Sequence, residues 1–296
     1  MHLFPGTSID IAAATTDKLT LALVNKHHVE LSVLRLDKIH PVISGNKWFK
    51  LLYHLQEAKN NHAAGLLTFG GAYSNHIIAV ACAATELGWK SIGIIRGEAP
   101  ARLSHTLEQA MGYGMQLVFI SRGSYRTETA GCTGGEAGKY PGYYVIPEGG
   151  SGPLGIKGSA EILELVDKPA WSHILCAIGT ATMFTGLAGS VLPGQEVTGI
   201  PVLKGVEGWQ TPPGARIITG YHFGGYARKT TALLDFMNFF YDNTGIPTDF
   251  VYTGKLLFAT LDLIEKGYFA PGSRLLVVHS GGLQGNRSLP PGTLHF

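Results

Sequence analysis

From about residue 30 onward, short apolar runs alternate with amphipathic stretches along this 296-residue chain, the rhythm of parallel strands joined by crossover helices. The pattern predicts a strand over 66–69, an alanine-rich helix over 75–87, a strand over 91–95, a helix over 103–113 and a strand over 115–120. That segment reads as a repeated βαβ unit. Further on, 143–146, 173–178 and 275–279 have the pattern of strands, and 156–165 and 182–191 that of helices. The glycine- and proline-dense stretch 147–155 predicts a domain crossing, because both residues are enriched where a chain turns sharply. An α/β protein is therefore expected, with a second α/β block from about 155 to the end.

Composition narrows the function classes. With 45% hydrophobic residues, 15% charged residues and a formal charge of +2, the chain can bury a large core and has no basic block to neutralise a phosphate backbone. Nucleic acid is not an expected partner. No apolar run reaches the roughly 18–20 residues needed to cross a bilayer, and Met1 to Pro5 lacks a basic region followed by an apolar one, so a soluble, cytoplasmic protein is expected. Cys82, Cys132 and Cys176 sit in unrelated contexts, and the twelve histidines show no close ligand spacing, so neither a disulfide framework nor a metal is expected.

Candidate chemistry begins at Lys47, in Ser44-Gly45-Asn46-Lys47-Trp48-Phe49-Lys50, in a turn just ahead of a predicted helix over 51–58. Positive partial charge and desolvation at a helix entrance both favour the neutral amine that attacks an aldehyde, although most lysines are solvated surface cations. Gly70-Gly71-Ala72-Tyr73-Ser74-Asn75-His76 joins a strand to a helix, whose first amides can bind an anion such as a carboxylate; Ser74 also serves as a plain N-cap. The small-residue loop Gly179-Thr180-Ala181-Thr182-Met183 follows a strand and suits a phosphate dianion, where a simple turn is the alternative. A GxGxxG match at 150–155 is weak, since Pro153 removes an amide donor and Glu148 would repel pyrophosphate. Tyr226 and Tyr252 are packing residues by default and candidates through their company.

Together these stretches resemble the 1-aminocyclopropane-1-carboxylate (ACC) deaminase and D-cysteine desulfhydrase family of fold type II pyridoxal phosphate (PLP) enzymes. SGNK, FGGxxSNH, PEGG, VYTGK and HSGG occur in the family's order across nearly the whole chain. The resemblance implies two doubly wound α/β domains of the tryptophan synthase beta-like architecture, a smaller one over 47–151 and a larger one, from 1–46 and 152–296, that binds PLP. It implies that Lys47 carries the cofactor covalently, that Ser74 lies near the substrate carboxylate with a catalytic role, and that Asn75 lies beside the PLP 3-oxygen. Lys50 matches a lysine approaching the phosphate, His76 completes the substrate-binding motif, and Tyr226 and Tyr252 match the tyrosines flanking the substrate. In the phosphate loop, Ala181, Thr182 and Met183 depart from the commoner Gly-Gly-Thr, and Phe49 replaces a frequent arginine.

Position 253 separates the members. ACC deaminases resemble one another in a glutamate that can keep the pyridine nitrogen protonated, whereas desulfhydrase-like members carry threonine, as here. Thr253 beside the ring nitrogen weakens the electron sink and suits β-elimination of a good leaving group. The expected reaction is conversion of the small amino acid D-cysteine to pyruvate, ammonia and sulfide. ACC deaminase is the alternative, a non-catalytic PLP- or amino-acid-binding protein the second, and a nicotinamide oxidoreductase the remaining rival. The resemblance further implies a homodimer and a trimmed loop within 192–218.

Overall fold

The computed structural model describes residues 4–129, 135–206 and 209–296, so Cys132 lies outside the described residues. In chain order the strands are β1 (Thr16–Leu19), β2 (Glu30–Arg35), β3 (Gly65–Gly70), β4 (Lys90–Arg96), β5 (Met115–Ile120), β6 (Tyr143–Ile146), β7 (His173–Ile178), β8 (Glu196–Pro201), β9 (Ala215–Ile217) and β10 (Arg274–His279). The α-helices are α1 (Ala22–Lys26), α2 (Asn46–Asn60), α3 (Asn75–Glu86), α4 (His105–Gly112), α5 (Arg122–Thr129), α6 (Pro153–Ala160), α7 (Thr182–Ala188), α8 (Thr231–Thr244) and α9 (Thr253–Glu265).

Strands and helices fall into two sheets. One has the order β5-β4-β3-β6 and is parallel throughout; the other has the order β1-β2-β10-β7-β8-β9 and is parallel except for the β1–β2 pair. The expected α/β class with parallel sheets is met. Local chemistry sets several boundaries: Ser104 caps α4 by accepting the Leu107 N–H at 3.2 Å, so the helix starts at His105 rather than at 103. The helix expected over 156–165 is α6 followed by a tighter 3-10 turn at Glu161–Leu165.

The chain divides into two compact units. One comprises the described residues of Met1–Ile9, His40–Ile43 and Lys47–Gly158, the other Asp10–Ile39, Ser44–Asn46 and Ser159–Phe296. Residues 4–9 and 40–43 thus belong to the smaller unit, not to the larger one as expected from sequence, and the second boundary falls inside α6 rather than at 151. The smaller unit packs Leu67, Phe69, Ile92 and Ile94 around Tyr125; the larger packs Leu31, Val33, Leu175, Leu275 and Val277 against Leu256, Leu257 and Ile264 of α9. The stretch 192–218, expected as a trimmed loop, contains β8 and β9. The Gly199 and Pro201 of β8 disguise it, yet Val197 to Pro201 are all buried and pair with β7.

At the C-terminal end of β10, a buried charge network ties two neighbouring strands. Arg35 of β2 donates from Nε and Nη2 to the two Asp37 carboxylate oxygens at 2.8 and 2.7 Å, and His279 Nδ1 lies 3.1 Å from Asp37 Oδ1. Burial would raise the Asp37 pKa, but the Arg35 hydrogen bonds and the charges of His279 and Arg35 outweigh it and hold the carboxyl below its ordinary range. Directly after His279, the Ser280 carbonyl accepts the Asn46 N–H at 3.3 Å.

Gly45 meets that carbonyl with φ +68°, and a Cβ there would stand 1.9 Å from Ser280 O. Substituting Gly45→Ala combines left-handed strain with backbone overlap. It is expected to cost about 2–4 kcal/mol, measured as a lower urea midpoint; an unchanged midpoint would contradict this packing.

Candidate active site

Lys47 is the second residue of α2, one turn-forming step further into the helix than the sequence reading placed it. The helix starts at Asn46 because Gly45 makes the reversal, its own N–H donating to Leu36 O at 2.9 Å. Lys47 is half-buried, and Lys50, one turn on, is buried. Both lysines bear electrostatically on His76, which is itself buried at the start of α3.

Hydrogen-bond accounting fixes the His76 tautomer. The single hydroxyl hydrogen of Thr68 goes to Ile146 O at 2.9 Å, so Thr68 must accept from His76 Nε2 at 2.8 Å. His76 Nδ1 is then a bare acceptor, buried and without a partner. Desolvation first, then the charges of Lys50, His54 and Lys47, hold its pKa well below the ordinary value, so the ring is neutral. Beside it, Asn75 Oδ1 is also buried and unpartnered. Ser74 caps α3, its Oγ accepting the Ile77 N–H at 3.4 Å, which leaves the hydroxyl hydrogen for another acceptor.

The larger unit holds the remaining candidates. Gly179 approaches Tyr252 so closely that a Cβ would lie 3.1 Å from its ring, and Tyr252 meets Tyr226 edge-on at 6.1 Å between centroids. Ala181 adopts φ +58° ahead of α7, and the Thr180 and Thr182 hydroxyls are 3.0 Å apart. Met183 is buried, its sulfur 3.4 Å from Asn46 Nδ2. A left-handed residue followed by helical ones turns successive amides the same way, the arrangement that receives an anion.

Thr253 has a structural employment at the start of α9. Wholly buried, it donates its hydroxyl to Asp249 Oδ1 at 2.7 Å and accepts the Asp249 N–H at 2.7 Å. The same carboxylate takes the N–H groups of Val251, Tyr252 and Thr253, each at 2.9 Å. The hydroxyl hydrogen is spent on fixing the start of α9.

Two further groupings escaped the sequence reading. Lys255, in the VYTGK stretch, is wholly buried, with Nζ donating to His222 O at 2.9 Å and Gly225 O at 2.8 Å. Desolvation brings its pKa down to about 8 against the pull of the Asp249 carboxylate. A lowered pKa suits a nucleophilic amine, but this ammonium is enclosed and occupied. Among the described residues, the ligand atoms of His40, Cys82 and Glu86 lie within 4.8 Å of one another. His40 Nδ1 accepts the Val42 and Ile43 N–H groups at 3.0 and 2.8 Å, so Nε2 carries the proton and faces Ser8 and Glu86. Burial, reinforced by Glu86, pushes the Cys82 thiol up to about 11. His40, Ser8 and Glu86 thus form a hydrogen-bonded staple beside the Cys82 thiol.

Comparison with known proteins agrees with these elements. The profile of the pyridoxal-phosphate dependent enzymes matches residues 16–281, and the chain belongs to that family. It is 30% identical over 300 residues to the mitochondrial bifunctional D-cysteine desulfhydrase/1-aminocyclopropane-1-carboxylate deaminase of Arabidopsis thaliana, covering 86% of this chain and 73% of that protein. It is 26% identical over 319 residues to the D-cysteine desulfhydrase of Salmonella typhi, covering 95% of each. The crystal structure of an ACC deaminase homologue matches the fold with a TM-score of 0.78 at 23% identity, covering 95% of this chain and 92% of that one. The protein is therefore a PLP-dependent enzyme of α/β fold. Among the described residues no helix is long and apolar enough to cross a membrane.

The residues suit that cofactor. An amine for the aldehyde, the positive potential of Lys47 and Lys50, and the unpartnered amide oxygen of Asn75 stand in the smaller unit; a threonine-bearing loop and two tyrosines stand in the larger. Asn75 in the flipped amide orientation presents a donor to a phenolic oxygen.

Two outcomes follow from the buried groups at α9. Thr253→Glu sets a second carboxylate against Asp249 and is expected to destabilise the protein by about 3–5 kcal/mol, the scale of an uncompensated buried charge; an unshifted urea midpoint would contradict this. The Lys255 amine titrates near 8 when folded and at its ordinary 10.5 when unfolded, so the unfolded chain binds the extra proton between those values. Stability contributed by Lys255 therefore rises with pH across that window, and the midpoint of the unsubstituted protein should gain on that of Lys255→Met between pH 8 and 10.

Proposed function

We propose that this enzyme eliminates the β-substituent of a small amino acid, with D-cysteine as the leading substrate. One D-cysteine and one water give pyruvate, ammonia and hydrogen sulfide. The observation that carries the reading is the grouping of Lys47, Lys50, neutral His76 and unpartnered Asn75 at the starts of α2 and α3, in a chain similar to named desulfhydrases. Support for elimination over cyclopropane opening comes from position 253, where threonine stands and its hydroxyl hydrogen is committed to Asp249.

Bound PLP supplies an electron sink that acidifies the substrate α-carbon. Lys47 is the residue that holds the cofactor at rest, and its amine, once displaced by the substrate, takes the α-proton. The sulfur then departs with the electron pair of the C–S bond. The first amides of α3, with Ser74 as donor, receive the substrate carboxylate, and His76 Nδ1 offers an acceptor beside it. Lys50 and the loop Gly179, Thr180, Ala181, Thr182 and Met183 receive the cofactor phosphate, and Asn75 its 3-oxygen. Tyr226 and Tyr252 flank the substrate, with the larger unit as the PLP-binding domain. Thr253 is the neutral residue assigned to the ring nitrogen, and Asp249 fixes it at the start of α9. Family likeness supports a homodimer as the working form, and the cytoplasm is proposed as its location.

ACC deamination is the second reading, favoured by the bifunctional name of the Arabidopsis relative. Purified, PLP-loaded enzyme should release pyruvate from D-cysteine and little 2-oxobutyrate from ACC; the reverse ratio would replace the first reading with the second. Lys47→Ala should lose the visible absorbance of bound cofactor and lower turnover by roughly 10³-fold, and near-normal turnover would refute the assignment.

A further inference from the structure

We propose that Lys255 is a positioning residue, which holds the His222–Gly225 turn from inside the larger unit so that Tyr226 is presented beside Tyr252. The inference rests on the substrate-flanking role proposed for Tyr226. Its physical basis is a turn that cannot hold its own shape. Phe223, Gly224, Gly225 and Ala227 all have positive φ, at 49, 93, 119 and 52°. Two of them are not glycine, so the conformation is strained and needs outside support. Internal bonds are sparse: Gly225 N–H donates to His222 O at 3.0 Å, Arg228 N–H to Gly225 O at 3.1 Å, and Gly224 N–H to His222 Nδ1 at 3.0 Å.

Helix α9 supplies the support at two points on one face. Lys255 Nζ donates to the same two carbonyls, His222 O and Gly225 O, that the turn uses internally, and Phe258, three residues on, meets Phe223 edge-on at 4.9 Å. Charge-assisted bonds to two carbonyls fix the turn at both ends of its left-handed run. Gly225 is buried, while Tyr226 immediately after it is 46% exposed. The clamp is thus inside and the presented ring outside. The Asp249 carboxylate, which fixes the start of the same helix, is the charged group facing the amine. An enclosed ammonium whose donors serve only one loop is otherwise an expensive way to fill space.

The test uses PLP-loaded enzyme carrying Lys255→Met, Tyr226→Phe and both. Trypsin cleavage after Arg228 or Lys229 reads the turn directly, because both residues are exposed just beyond it. Lys255→Met should speed that cleavage about tenfold relative to other sites, leave cofactor absorbance unchanged, and lower kcat for D-cysteine about tenfold or more. In the Tyr226→Phe background it should lower kcat less than about twofold, since the clamp acts on turnover by aiming the Tyr226 hydroxyl that this background lacks. Unchanged cleavage in Lys255→Met, or full additivity of the two substitutions, overturns the proposal. An enzyme inactive on D-cysteine whose turn still opens in Lys255→Met removes the substrate reading but supports the clamp. If Lys255→Met does not fold, hydrogen exchange on the unsubstituted enzyme decides: the Gly225 and Arg228 amides should be protected like those of α9, and free exchange there overturns the clamp.

Discussion

The approach of Gly45 to the Ser280 carbonyl is the constraint on which the site depends. It requires a residue without a Cβ at φ +68°, and it requires Ser280 to be held still. The second condition is met by His279, which is buried between Asp37 and the Pro247 carbonyl, 3.1 and 2.8 Å away. Asp37 is in turn gripped by Arg35 at the end of β2. Strand ends, a charge network and one glycine thus fix the chain immediately before Lys47. The lysine enters α2 from an anchored position, which suits the covalent attachment proposed for it.

Elsewhere, donor and acceptor counts decide roles that residue type leaves open. A threonine hydroxyl has one hydrogen, and at Thr253 that hydrogen belongs to Asp249; at Thr68 it belongs to Ile146 O, which forces the His76 tautomer. The contrast among lysines is equally physical. Lys255 has the lowered pKa expected of a nucleophilic amine, but its geometry is that of a clamp. Lys47 lies instead at a helix start and shares its electrostatic neighbourhood with Lys50 and a neutral His76. Burial lowers a lysine pKa whatever the residue does, so acidity without access is no sign of catalysis.

Much of the fold was legible in the chain because its central strands are short apolar runs separated by clear turn chemistry; β5, β6 and β7 lie where the pattern put them. Part of what escaped had no periodic signal. β8 contains a glycine and a proline, β9 is three residues long, and the antiparallel β1 precedes the regular alternation. Site legibility split the same way. Motif order pointed to Lys47, Ser74, Asn75 and the 179–183 loop, but nothing in the string VYTGK reveals that its lysine turns inward or that its threonine is locked to Asp249. Those facts depend on Asp249 and on the 222–225 turn, which spacing does not connect to it.

The most direct test of the account is to reduce the PLP-loaded enzyme with borohydride, digest it and locate the cofactor mass by peptide sequencing. The account predicts one modified residue, Lys47, with Lys50 and Lys255 unmodified. Cofactor mass on Lys255 would contradict both the attachment site and the clamp, and mass on Lys50 would reverse the roles of the two lysines in α2.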